Sequence, residues 1–161
     1  MGTNGYFMSP THGKCDKVAM RKRIVSYLAD QPNAQYRLVI GTDSQPKNGT
    51  VTDFVTALIV HRIGFGGIYF WKRIVETKQY VLKQRMYQEA TYSLIAAEEF
   101  LTLFKNDGIT KYDVEIHVDI GLKGETREMI GEIVGMIRGS GFAVKTKPDS
   151  FGASKVADRY T

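Results

Sequence analysis

Apolar residues between Asp16 and Asp30, in DKVAMRKRIVSYLAD, place Val18, Ile24, Val25 and Leu28 on roughly one side of a helix, and Pro32 follows its end. Three segments rich in β-branched and aromatic residues come next, Tyr36–Thr42, Val51–His61 and Ile68–Glu76, separated by Gly, Asn and Pro. They read as strands joined by short turns, hence antiparallel neighbours. The stretch Tyr80–Lys105 holds no Gly or Pro and repeats Leu82, Met86, Ala90, Leu94, Ala97, Leu101 and Phe104 at three- and four-residue steps, which predicts the longest helix. A strand at Tyr112–Val118, a helix at Glu125–Arg138, a strand at Phe142–Thr146 and a closing helix from about Gly152 complete the pattern. Helix, β-β-β, helix, β, helix, β, helix is an α/β order. It is economically satisfied by a five-stranded mixed sheet, three antiparallel strands then parallel ones, flanked by helices.

Residues 1–15 show no apolar period and carry many Gly, Pro, Thr and Asn residues, so they read as a flexible N-terminal arm. Residues 16–161 read as a single domain with an extra helix at its start. The chain has 161 residues, 43% apolar and 24% charged, which suits one globular core and leaves no room for two lobes. A single cysteine, Cys15, excludes an intrachain disulfide and a thiolate zinc site and fits a reducing, cytoplasmic compartment. No run approaches the ~18 apolar residues of a membrane span, and the opening MGTNGYFMSPTHGK lacks the apolar stretch of a signal peptide, so no membrane association is expected. The net charge of +5 permits an anionic partner without pointing strongly to one.

The acids are more informative. Asp43 follows the apolar run in LVIGTDSQ, and Asp119 takes the matching place in VEIHVDIG. If those strands are adjacent and parallel, the two carboxylates lie about one strand spacing apart, ~5 Å between backbones. Glu89 falls inside the apolar arc of the long helix and points toward the sheet, whereas Glu98 and Glu99 fall outside it. A carboxylate aimed into a core needs a proton, a basic partner or a metal. The closing helix adds Asp158 in ASKVADRYT, and Asp149 in KPDS competes for that role while also suiting a helix cap. Oxygen donors of this kind suit Mg²⁺ or Mn²⁺, and two such ions ~3.5–4 Å apart stabilise both the attacking and leaving oxygens of a phosphodiester. Taken singly, each acid is as easily a turn, a cap or an ion-pair partner; the combination carries the reading.

Other chemistries lack support. His117 stands two residues before Asp119 and reads as structural or exposed, and His12 and His61 have no neighbours of metal-site spacing. GFGG at 64–67 lies between extended segments and reads as a hairpin turn, not a phosphate loop. Ser44 lacks a nucleophile elbow and Cys15 an evident base.

At IGTDSQ, Glu89, HVDIG, GMIRGSGF and KPDSFGASKVAD the chain resembles the YkuK-type ribonuclease-H-like family over about residues 36–161, and more broadly the ribonuclease H superfamily. The resemblance implies a sheet of three antiparallel strands followed by parallel ones. It also implies a set of metal-holding catalytic acids, Asp43, Glu89, Asp119 and Asp158, with Asp149 as the alternative to Asp158. The closing VAD is similar to the acid-bearing last helix of RuvC resolvases. Thr42, Ser44 and Gln45 flank the first acid, where they would bind phosphate or orient water. The implied activity is a Mg²⁺- or Mn²⁺-dependent nuclease, with a two-metal site, acting on RNA, RNA–DNA hybrid or structured DNA.

Basic residues available to a nucleic-acid backbone are Arg21, Lys22 and Arg23, then Lys72, Arg73, Lys78, Lys83 and Arg85, and finally Lys145, Lys147 and Lys155. Tyr69 and Trp71 are either core residues or stacking platforms. Two other classes remain open: a nucleic-acid-binding module with the fold but no catalysis, and a sugar-kinase-like or actin-like relative, which the short chain disfavours. The oligomeric state is open.

Overall fold

The computed structural model describes residues 5–121, 124 and 127–161. Its sheet has seven strands: β1 (Tyr6–Ser9), β2 (Gly13–Asp16), β3 (Tyr36–Lys47), β4 (Val51–Arg62), β5 (Gly67–Glu76), β6 (Val114–His117) and β7 (Ala143–Lys145). Their spatial order is β2-β1-β5-β4-β3-β6-β7. The five expected strands are all present, with β3, β4 and β5 antiparallel and β6 and β7 joined parallel to β3. The mixed α/β class holds, and the count of five is corrected to seven.

The two extra strands come from the segment expected to be a flexible arm. Phe7 and Cys15 face each other across the β1–β2 pair and are almost fully buried, so the hairpin is held by the core and is no loose appendage. Four-residue strands carry too few alternations to stand out from a Gly- and Thr-rich background. Asp16 then caps α1 (Lys17–Asp30), its Oδ1 accepting from the Ala19 N–H at 2.7 Å.

β3 also runs further than its apolar run suggests. It continues from Thr42 to Lys47 because those residues pair with Val51–Thr56 around a turn at Asn48 and Gly49, both left-handed. Asp43 is therefore inside a strand, not at its end. What ends near Asp43 is the parallel partner: β6 stops at His117, paired with Gly41, and the same register continued sets Asp119 level with Asp43.

The two faces of the sheet are covered differently. On one, Leu38, Ile40, Leu58 and Phe70 meet Met20 and Ile24 of α1, Ala97 and Phe100 of α2 (Leu82–Leu103), and Ile133 and Ile137 of α3 (Ile130–Gly139). Each of these buried Leu, Ile, Met and Phe side chains contributes roughly 1.5–3 kcal/mol. Glu125, the expected start of α3, lies outside the described residues. On the other face the closing helix, Gly152–Ala157 and then Asp158–Tyr160, lies on Val55, Ala57 and Trp71.

That closing helix sits unusually close to β3. A Cβ at Gly41 would meet the Ala153 nitrogen at 2.5 Å, and one at Gly152 would meet Val39 Cγ1 at 2.7 Å. Two missing side chains thus let helix and strand touch backbone to backbone. Among the described residues no helix is long and apolar enough to cross a membrane.

Candidate active site

Alternation along β3 sends Asp43 to the face of the closing helix and Ser44 to the face of α2. Ser44 donates its hydroxyl to Glu89 Oε2, and Arg85 Nη1 donates to the Ser44 carbonyl at 3.2 Å. Thr42 shares hydroxyl hydrogen bonds with Ser93 at 2.7 Å and Thr56 at 2.9 Å. The long helix is thereby pinned to β3 with Glu89 pointing inward, as its place in the apolar arc predicts.

On the opposite face Asp43 is 8% exposed, and its Oδ2 accepts from Thr161 Oγ1 at 3.0 Å. Lys47 Nζ donates to the Thr161 carbonyl at 2.9 Å, and Arg73 donates to the Tyr160 carbonyl. Burial pushes the Asp43 carboxyl up to about 7; a hydrogen bond and the charge of Asp158 add to this, as does Asp119, while the Thr161 hydroxyl opposes it. Glu89 is pushed well above the usual carboxylate range, again chiefly by burial. The Ser44 hydroxyl and Arg85 oppose that shift, and the charges of Asp43 and Asp119 reinforce it.

Glu89 and Asp119 line one small pocket with Thr42 and His117, about 10 Å³ in volume, the room of roughly one water. Asp119 Oδ1 is buried without a hydrogen bond, 3.3 Å from Lys147 Nζ. That separation is an ion-pair contact whose geometry makes no hydrogen bond, so the oxygen keeps an unused lone pair.

Asp43 therefore feels the charges of Asp158 and Asp119, and Glu89, across β3, feels those of Asp43 and Asp119. Asp149 does not join them: both it and Asp158 are exposed, but the charge of Asp158 is felt at Asp43 and that of Asp149 at His117. Of the residues flanking the first acid, Thr42 and Ser44 are committed to holding α2, while Gln45 is exposed on the Asp43 face. Among the described residues no three acidic, His or Cys side chains are arranged to hold one metal ion. The donors suit a hard cation in kind, being all oxygen and including one orphaned carboxylate oxygen. They stand in two halves, Asp43 with Asp158 and Glu89 with Asp119.

His117 has a part in this assembly that spacing did not reveal. Its Nδ1 accepts from the Gly152 N–H at 3.0 Å, so Nε2 carries the proton that faces Glu115 Oε1, also at 3.0 Å. Glu115 in turn meets Arg37 at 3.1 Å. Burial lowers the His117 pKa, against the pull of Glu115, which keeps the ring neutral and able to accept from Gly152. The alternation of Glu115 and His117 on β6 was the available signal, but it needs the closing helix opposite to acquire meaning. His117→Ala is expected to strand both the Gly152 N–H and Glu115, lowering unfolding free energy by about 2 kcal/mol or more in a denaturant titration.

Several expected nucleic-acid contacts are engaged elsewhere. Arg21 grips Asp107 with both carboxylate oxygens at 2.9 and 2.8 Å. Lys72 lies 3.6 Å from Glu99, and Lys78 lies over the Tyr80 ring. Trp71 is stacked on Tyr160 at 4.3 Å between ring centres, with Arg73 also near its ring, and the Tyr69 hydroxyl meets that of Tyr160. These aromatics hold the closing helix.

A mixed sheet of three antiparallel strands followed by parallel ones, flanked by helices, is consistent with a ribonuclease H-like fold. The family model described as Ribonuclease H-like matches residues 19–161, and the chain belongs to that family. It is 34% identical over 152 residues to the Bacillus subtilis (strain 168) protein described as "Uncharacterized protein YkuK", with 87% of each chain covered, which places it among the YkuK-type members. No solved structure gives a significant match. The fold is thus nuclease-like and of a kind that commonly serves nucleic acids and often uses divalent metals.

Proposed function

We propose that this chain is a divalent-metal-dependent phosphodiester hydrolase acting on RNA, RNA–DNA hybrid or structured DNA. The observation that carries the reading is the electrostatic coupling of Asp43 with Asp158 and Asp119 on a strand whose other face holds the buried Glu89. Burial and mutual charge hold Asp43 and Glu89 toward their protonated forms, and a bound cation would favour the ionised set; Lys147 meets only Asp119.

Asp43, Asp119, Glu89 and Asp158 would hold Mg²⁺ or Mn²⁺, in a two-ion site on the family's pattern. Such ions supply Lewis-acid stabilisation of the phosphoryl group and a nucleophilic water at neutral pH. Asp43 gives up its proton on binding, so affinity rises with pH through about 7. Ser44 and Arg85 keep Glu89 aimed at the centre, and exposed Gln45 is placed to meet a phosphate oxygen or a water.

The test is a panel of single strands, hybrids and branched duplexes incubated with Mg²⁺, with Mn²⁺ and with chelator. Metal-stimulated, chelator-sensitive cleavage of at least one substrate is the expected result. The two separated halves of the acid set favour a second reading, a binding module of the same fold without catalysis. Salt-dependent binding with no cleavage under any metal would replace the first reading with the second.

A further inference from the structure

A groove of about 930 Å³ opens between α1, the β1–β2 turn and the start of β5, lined by His12, Lys22, Arg23, Asp30 and Tyr69 among others. Its electrostatics are one-sided. Asp30, the one acid among its described lining residues, is exposed at its edge and 3.7 Å from Arg62, which offsets part of its charge. Elsewhere on α1 the cations are spoken for, Lys17 by Glu99 and Arg21 by Asp107. Lys22 and Arg23 have no acidic partner among the described residues, and the buried Arg23 Nε has no hydrogen-bond acceptor. A guanidinium has five donors and no acceptor, so the unpaired Arg23 side chain suits the oxygens of an anion. The Ser9 hydroxyl oxygen, accepting from Thr11 and His12 N–H groups at 3.3 and 3.2 Å, fixes the opposite rim.

The groove opens beside β5, two strands away from the β3 acid. Asp43, Val55 and Arg73 form one row across β3, β4 and β5, and Tyr69 lies four residues before Arg73; about 13 Å along β5 and about 10 Å across two strand spacings put Tyr69 roughly 16 Å from Asp43. That span equals about five base steps of a duplex strand.

We propose that this groove is a second contact site for nucleic-acid phosphates, with Lys22 and Arg23 gripping the backbone of a substrate whose scissile bond lies at Asp43. It rests on the nucleic-acid reading above and gives that reading a minimum substrate length.

The experiment compares the full chain with Lys22→Glu and, separately, Arg23→Gln, by anisotropy on a labelled duplex of about 20 base pairs over a salt series. Each variant is expected to weaken binding at least about fivefold and to reduce the salt slope by about one. Cleavage of a fragment of about four nucleotides, too short to reach the groove, is expected to be unchanged. Lys22 is exposed, so its substitution tests the groove even if Arg23→Gln fails to fold. Unchanged slopes in a wild type that cleaves would overturn the groove and leave the nuclease standing. Reduced slopes in a protein that cleaves nothing would do the reverse. Competition by inorganic phosphate or poly-glutamate that depends on Lys22, with duplex binding independent of it, would reassign the groove to a free anion or an acidic peptide and overturn the proposal.

Discussion

Asp43→Asn is expected to abolish metal-stimulated cleavage while making the metal-free protein more stable above pH 7. The catalytic loss follows from removing a ligand charge; since losing a mere hydrogen-bond partner of a ligand commonly costs 10–100-fold, a direct ligand should cost at least about 100-fold. The gain in stability follows from proton linkage. The Asp43 carboxyl titrates near 3.8 in the unfolded chain and near 7 in the fold, so between those values the folded state holds a proton the unfolded state has lost. Wild-type stability therefore falls as pH rises through that window, by about 4 kcal/mol once both states are ionised. Asparagine does not titrate. Thermal unfolding in chelator should show variant and wild type alike below pH 4 and diverging up to pH 7, with the variant higher. Parallel pH profiles would show that Asp43 is not the strained carboxyl, and undiminished cleavage would show that it is not a ligand.

This combination is informative because a residue kept for stability would behave in the opposite way. A site acid is tolerated at a cost in stability because something other than the apo fold needs it.

The acids were legible in the sequence to differing degrees. Asp43 and Asp119 announce themselves by ending apolar runs, and Glu89 by lying in the apolar arc of a helix that contains no Gly or Pro. Local patterning is enough there, because each residue departs from its own element's period. Asp158 is different: its separation from Asp149 depends on how the chain turns after β7, which no period encodes. The structure carries Asp158 to Asp43 and leaves Asp149 outside. The hairpin of residues 6–16 was illegible for a related reason, since its strands are ordered by long-range burial of Phe7 and Cys15 and not by their own propensity. The basic residues were legible as charges but not as free ones. Arg21, Lys72 and Arg73 look the same as Lys22 and Arg23 on paper, and only partner geometry divides them.

Gly41→Ala is expected to be as damaging to the site as the loss of an acid, although position 41 carries no chemistry. The added methyl would fall 2.5 Å from the Ala153 nitrogen and 2.6 Å from the Gly152 carbonyl carbon, backbone atoms that cannot swing aside. Overpacking of this kind costs about 1–3 kcal/mol. Relief requires the closing helix to lift from β3, which withdraws Asp158 from Asp43 and lengthens the His117–Gly152 hydrogen bond. Gly135→Ala in α3 is the matched control: its methyl meets nothing within 4 Å, and the helix gains about 0.8–1.0 kcal/mol of propensity. Thermal unfolding should move down for the first variant and up for the second, and only the first should lose cleavage. If Gly41→Ala retains both stability and activity, the close approach does not position Asp158.

The hairpin that joins the sheet beside β5 also determines how the molecule meets its neighbours. Without it, β5, ten residues long, would be the edge strand, with every second residue presenting unpaired amides and carbonyls outward; the hairpin meets it at Met8 and Trp71. With it, the outermost strands are β2 and β7, of four and three residues. Rims that short make poor templates for edge-to-edge self-assembly, and Lys14 and Lys145 on them repel a second copy.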